Sequence, residues 1–366
     1  MQPRLQAIYH VQSDARSIEA RARAIAVEQS VEMPVAAITD EFVRAEIVGR
    51  VEAIAETQAG LFEVRVSLAC DTIGRDGGQL LNTLFGNSSL QPDAVLHDVV
   101  LPAELLAAFV GPRHGLSELR RRVAAPARAL TCSPLKPQGI PPAKLADLAR
   151  RFAQGGIDYI KDDHGLADQA YSPFAARLEA VTAALRAARS DRAAPRYVPS
   201  LSGDLDTMRA QIGLAADAGV DAVMIAPMIA GFATMQRLVR EHPAIAFFAH
   251  PAMAGAARIA PPLLIGKLFR LMGADAVIFP NHGGRFGYSA ETCRALARAA
   301  LAEEGGLRPC VPVPAGGMTT DRVREMLDFY GPDVMLLIGG ALLEAGERLV
   351  AATSAFVAEV HGYRRG

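Results

Sequence analysis

Lys161, Asp162, Asp163 and His164 occupy consecutive positions directly after the apolar Tyr159–Ile160 pair, in the stretch "YIKDDHGLAD". On an extended strand alternate side chains share a face. Lys161 and Asp163 therefore point one way and Asp162 the other, and His164 joins the first face only if the chain turns there. Two chemistries are open to such a cluster. One is a salt-bridged network that caps a strand end. The other is a metal site: an ammonium is a poor ligand, but a lysine that has taken up CO2 becomes a carbamate, an anionic oxygen donor suited to Mg2+.

Further residues invite the same question. Lys136, in "LKPQG", ends another apolar run and would either pair with an acid or, beside a metal, serve as a base. His250 closes the apolar run "AIAFFAH". Gly316–Gly317 and Gly339–Gly340 end two more runs, where exposed backbone N–H groups can cradle one phosphate. His282 and Arg285 flank a glycine pair in "NHGGRFG", a segment able to close over a site and bring Arg285 to an anion.

Such scattered groups meet only if a frame gathers distant strand ends. From residue 123 onward a short apolar run followed by an Ala/Arg/Leu-rich segment recurs eight times, with the runs at 129–135, 158–163, 196–202, 222–227, 244–250, 276–281, 310–317 and 334–340. The intervening segments, such as "PPAKLADLARRFAQGG", "DLDTMRAQIGLAADAG" and "TTDRVREMLDFYG", place apolar residues at helical spacing and close on a glycine. Eight βα units predict a (β/α)8 barrel over 123–366, with catalytic groups at the C-terminal ends of its strands. Residues 1–122 predict a smaller α+β sandwich: an extended "LQAIYHVQS", a helix from about Ser17 to Ser30, "PVAAITDEF", a second helix near 41–55 and a strand in "LFEVRVSLAC".

The composition narrows the partners. Across 366 residues, 38 Lys and Arg balance 39 Asp and Glu, so no basic footprint for nucleic acid or an anionic membrane exists. The four cysteines, Cys70, Cys132, Cys293 and Cys310, lack C-x-x-C spacing and read as reduced thiols, which points to the cytoplasm. No window approaches the roughly 18 apolar residues of a membrane span, and the N-terminus has no apolar leader.

"GGIDYIKDD" closely resembles the RuBisCO large-chain signature, in which a carbamylated lysine and the acidic residues two and three places later hold magnesium. The resemblance runs through nearly the whole chain. It covers "LLNTLFGNSSLQPDAVLHDVVLPAELLAAFVGPRHGL", "LKPQG", "FFAHPAM", "GADAVIFPNHGGRFG", "PVPAGGM" and "LLIGGALLEAG". It implies that Lys136 is the proton-abstracting lysine and His250 the fifth-strand histidine. It also implies that Glu28 and Asn87 complete the site of the partner subunit in a homodimer.

The departures imply a change of reaction. His164 replaces the third, acidic metal ligand, and Gln138 the second lysine of the family's KPK motif. Pro251 replaces an arginine and Ile278 a histidine, while Arg285 stands for the loop lysine that polarises CO2. The chain thus looks like a RuBisCO-like (form IV) protein that does not fix CO2. The implied metal site is carbamylated Lys161, Asp163 and His164 with Mg2+, or Mn2+ because imidazole suits later metals. The implied chemistry is enediolate formation on a phosphorylated sugar derivative, contacted by Gln138, His282 and the glycine pairs. The leading expectation is a decarboxylase of a 3-oxo-isoapionate 4-phosphate type substrate. The alternatives are 5-methylthioribulose-1-phosphate isomerisation, diketo-methylthiopentyl-phosphate enolisation, or a non-catalytic binding barrel.

Overall fold

The computed structural model describes residues 2–188, 194–303 and 305–364. The chain divides into two compact units, 1–110 with 253–264, and 111–252 with 265–366.

In the first unit, β1 (Arg4–Gln12), β2 (Arg50–Gln58), β3 (Leu61–Ala69) and β4 (Ala94–Val100) form an antiparallel sheet in the order β2-β3-β1-β4. Leu5, Ala7, Tyr9 and Val11 of β1, and Phe62, Val64 and Val66 of β3, are buried. The helix Ile18–Glu28 buries Ile18, Ala22 and Ile25 and packs against β2 and β3. Polar side chains alternate with this apolar set, as one-sided sheet burial requires; among them the His10 and His97 rings stack at 3.7 Å. The expected helix near 41–55 is absent: a single π-helical turn, Val43–Ile47, precedes β2. The segment "RVEAIAETQ" reads as helix because its Ala and Glu favour one. It forms a strand because β3 offers it a ladder, and as an edge strand exposed over most of its length it lacks the alternation that would have revealed it. The opposite edge, β4, is covered by residues 258–260, through Leu96 N–H to Arg258 O at 3.0 Å and Ala260 N–H to Leu96 O at 2.9 Å.

The second unit is the barrel. Its strands are β5 (Leu130–Leu135), β6 (Tyr159–Asp162), β7 (Arg196–Val198), β8 (Ala222–Ile225), β9 (Ala246–Ala249), β10 (Ala276–Pro280), β11 (Val311–Ala315) and β12 (Met335–Leu337), and each lies within a run anticipated from sequence. They form two parallel sheets, β12-β5-β6-β7 and β11-β10-β9-β8. Met224 N–H to Pro199 O and Leu201 N–H to Met224 O, both 2.8 Å, join β7 to β8, and β11 lies beside β12. Cys132, Tyr159, Met224, Phe248, Ile278 and Val313 are among the side chains that fill the interior. It is a packed core and not a pore.

The helix Gly115–Arg122 belongs to this unit, because its Leu119 enters the same core. The buried Asp275 carboxylate accepts the N–H groups of His114, Gly115 and Phe247 at 2.7, 2.8 and 3.0 Å, tying the start of that helix to β9 and β10. The division therefore falls at 110/111 and not at 122/123. Among the described residues no helix is long and apolar enough to cross a membrane.

Candidate active site

Because Tyr159 points into the barrel core, strand alternation sends Lys161 the same way and Asp162 outward. Lys161 is 3% exposed, and its Nζ donates to the Asp162 carbonyl at 2.8 Å. Burial pushes its ammonium pKa down, against the opposing influence of Cys132 and Asp163. The Asp163 carboxylate lies 3.1 Å from Lys136 Nζ and 3.6 Å from His164 Nδ1. Burial would raise its pKa, but the nearby His164 ring and the Lys136 and Lys161 cations outweigh that and hold it below the usual carboxylate range.

After Asp163 the chain turns, which returns His164 to the inner side, where its ring stacks on His250 at 4.4 Å and 7°. Burial, and then the Lys161 charge, push the His250 pKa down to about 2, so the ring is neutral. His250 Nδ1 accepts from Ala252 N–H at 3.2 Å, which leaves Nε2 to carry the proton. Gln138 lies against the same turn, since a Cβ added to Gly165 would stand 1.5 Å from its Nε2. Strand ends β5, β6 and β9 thus gather Lys136, Gln138, Lys161, Asp163, His164 and His250.

The outward face of β6 carries what the sequence reading missed. Asp162 is fully buried and accepts from Arg177 Nε at 3.0 Å, Tyr197 OH at 2.7 Å and Ser200 N–H at 3.0 Å. Arg177 also donates to the carbonyls of Ser172 and Ala167, at 2.7 and 2.9 Å, so one guanidinium fixes both the strand end and the loop after it. A carboxylate whose alternation turns it away from the mouth was the available signal.

On the opposite side of the mouth the expectations divide. Arg285 is exposed, with its guanidinium 5.2 Å from the Phe286 ring centre. His282 does not face the cluster: its ring packs against Phe329 at 4.4 Å, on the helix Val323–Tyr330. Gly316 and Gly317 have φ of +83° and +92°, and a Cβ on either would come within 2.8 Å of Phe286 or of Arg285 N. Glycine is thus required here by the approach of the neighbouring loop, and the Gly316 carbonyl is taken by Arg285 N–H at 3.1 Å. Among the described residues no group accepts from the backbone N–H of Gly317, Gly339 or Gly340, so those donors remain available to an anion.

Glu28 and Asn87 lie in the first unit and meet there. Asn87 Nδ2 donates to Glu28 Oε1 at 2.9 Å and to Glu32 Oε1 at 2.6 Å, which adds Glu32 to the expected pair. The buried Gln29 holds this corner, donating to Thr83 O at 2.9 Å and accepting from Ser88 N–H at 3.1 Å.

Among the described residues no three His, Cys, Asp or Glu side chains converge as a ready metal centre. Asp163 and His164 supply two donors, and a third arises only with Lys161 as carbamate. The set then suits a hard divalent ion, whereas the unmodified lysine places a cation where the ion's charge would lie.

Residues 115–356 match the family described as ribulose bisphosphate carboxylase large chain, catalytic domain. A Rhodospirillum rubrum protein named 5-methylthioribulose-1-phosphate isomerase is 60% identical, over 99% of this chain and 97% of its own. A 2,3-diketo-5-methylthiopentyl-1-phosphate enolase from Geobacillus kaustophilus is 30% identical over 83% of this chain and 76% of its own. The crystal structure of a Rubisco-like protein from Rhodopseudomonas palustris superposes with a TM-score of 0.93 at 53% identity, covering 100% of both chains. With the barrel, the strand-end lysines and these relatives in agreement, the chain belongs to the RuBisCO large-chain family, among its RuBisCO-like (form IV) proteins.

Proposed function

We propose that this protein is an isomerase of a singly phosphorylated ketose with an apolar far end, of the 5-methylthioribulose 1-phosphate class. The observation that carries the reading is the asymmetry of the barrel mouth. The ends of β11 and β12 have backbone N–H groups that could serve one phosphate, while Pro251 stands where the family resemblance expects the arginine that grips a second. An apolar substituent suits that position better than an anion. The 60% identity to the isomerase supports the same substrate class, and the decarboxylase expectation gains no support from the relatives reported above.

Isomerisation of a ketose removes a proton beside the carbonyl, passes through an enediolate and returns a proton to the neighbouring carbon. Lys136, whose Nζ stands 3.1 Å from Asp163, is the group proposed to take the first proton, once its ammonium has released its own proton to solvent. Neutral His250, with its Nε2 proton, can donate to a substrate oxygen without adding charge. Arg285 would meet the phosphate, with Gly317, Gly339 and Gly340 beneath it. A Mg2+ ion held by carbamylated Lys161, Asp163 and His164 would supply positive charge to the enediolate oxygens. In a homodimer, the Glu28–Asn87 corner of one subunit would complete the mouth of its partner; a monomeric mass in solution would remove this part of the reading.

The test is incubation of the protein with 5-methylthioribulose 1-phosphate in D2O, with Mg2+ and bicarbonate, followed by NMR. Deuterium should enter beside the carbonyl and an isomer should accumulate, whereas ribulose bisphosphate should not be carboxylated. A saturating substrate that neither exchanges nor isomerises would overturn the proposal.

A further inference from the structure

The loop between β10 and the next helix is attached at its base, point by point, to the neighbouring segment 318–330. Asn281, fully buried, donates through Nδ2 to the sulfurs of Met318 and Met326 at 3.1 and 2.9 Å and accepts from Tyr330 OH at 2.6 Å. His282 packs on Phe329, the next residue along the same helix Val323–Tyr330. Arg322, which immediately precedes that helix, then reaches over the loop: Nη1 donates to the carbonyls of His282 and Gly283 at 3.4 and 3.3 Å, and Nη2 to His282 O at 3.4 Å. Its plane lies so close over Gly283 that an added Cβ would stand 3.1 Å from Nη2. Glu325 grips the other edge of the guanidinium at 2.9 and 2.8 Å, which fixes the fork's orientation. Beyond these attachments Arg285, Phe286 and Gly287 are exposed.

We infer that Arg322 is a positioning residue, which clamps the His282 and Gly283 carbonyls and thereby sets where Arg285 stands over the mouth. An i,i+3 pair between Arg322 and Glu325 on an exposed helix turn would by itself contribute little. What distinguishes this guanidinium is that it spends three contacts on backbone oxygens some 40 residues upstream. Each of those contacts is long and therefore weak, so they hold a preferred position without locking the loop. Lysine is a poor replacement, because a single point charge cannot address two carbonyls and a carboxylate in fixed directions.

The role of Arg285 rests on the function proposed above, but the clamp is measurable without substrate. Hydrogen exchange at the Arg285 amide, whose N–H is held by Gly316 O, reports on the loop directly. In Arg322→Ala it should quicken about 10-fold, with less change in Arg322→Lys and none at amides of the barrel strands. With 5-methylthioribulose 1-phosphate, Arg322→Ala should lower kcat/KM about 10- to 100-fold, the loss should be partly recovered in Arg322→Lys, and the same substitution made in an Arg285→Ala background should cost nothing more. An unchanged Arg285 amide, or losses that simply multiply in the double variant, would overturn the clamp. Wild-type protein inactive on this substrate but with the predicted exchange pattern would instead overturn the proposed function and leave the clamp standing.

Discussion

Behind β6, Asp162 takes hydrogen bonds from Arg177, Tyr197 and the Ser200 backbone, and its side chain has no exposure at all. In front of β6, Asp163 is shared between Lys136 and His164 at 3.1 and 3.6 Å, and those partners keep 32% and 50% of their side chains exposed. The residue types are nearly the same, a carboxylate with a cation and a second donor. What differs is completeness. Asp162 takes three hydrogen bonds from rigid, buried donors, so the pair holds the chain in place. Asp163 faces groups that can move, beside a buried lysine whose charge is poorly compensated. A saturated ion pair fixes geometry, and an unsaturated one is available for chemistry.

Three substitutions press on that contrast. Lys161→Met should have the largest effect, and the loss should fall on activity. Turnover should fall about 10^2- to 10^4-fold because the site loses its charge and with it the carbamate proposed for this lysine. Stability to urea should meanwhile rise by about 1–4 kcal/mol, since an apolar side chain replaces a desolvated cation. A destabilised variant would mean that Lys161 serves the fold as Asp162 does.

Arg177→Met reverses the pattern. It strands the Asp162 carboxylate in the interior and should cost about 3–5 kcal/mol of stability. Tyr197→Phe removes one donor of the same network and should cost less, about 1.5–3 kcal/mol. Both are read from urea midpoints at constant slope, and an Arg177→Met protein as stable as wild type would show the network to be dispensable.

How much of this was legible depended on whether a residue's role followed from its own strand. The eight barrel strands were readable because apolar runs and glycine-ended helices alternate without interruption. Lys161 and Asp163 were readable because strand alternation needs no partner to apply. Arg177 was not: an arginine within the Ala-rich "FAARLEAVTAALRA" looks solvated, and it is the Asp162 carboxylate, 15 residues away, together with the Ser172 and Ala167 carbonyls that makes its burial tolerable. His282 misled for the opposite reason. Its glycine neighbours suggest a lid, but the aromatic pair Phe329–Tyr330 that captures the ring lies far along the chain. A boundary at 122/123, where the eight-fold repeat becomes visible, leaves out Leu119, which sits in the barrel core, because a helix ahead of the first strand does not belong to the repeat.

The pairing of β12 with β5 has a consequence for synthesis. Leu130, Thr131 and Cys132 find their neighbours in Met335, Leu336 and Leu337, and β4 finds part of its cover in residues 258–260. A chain emerging from the ribosome therefore carries an uncovered edge on its first sheet until more than half of it has been made. The barrel keeps an open seam until its last strand, β12, appears. Closure of this kind joins distant segments and is intrinsically slow, and bare strand edges invite pairing with other chains in the meantime. The nascent protein is thus most vulnerable to aggregation late in translation, when nearly all of its apolar surface exists and the barrel is not yet sealed.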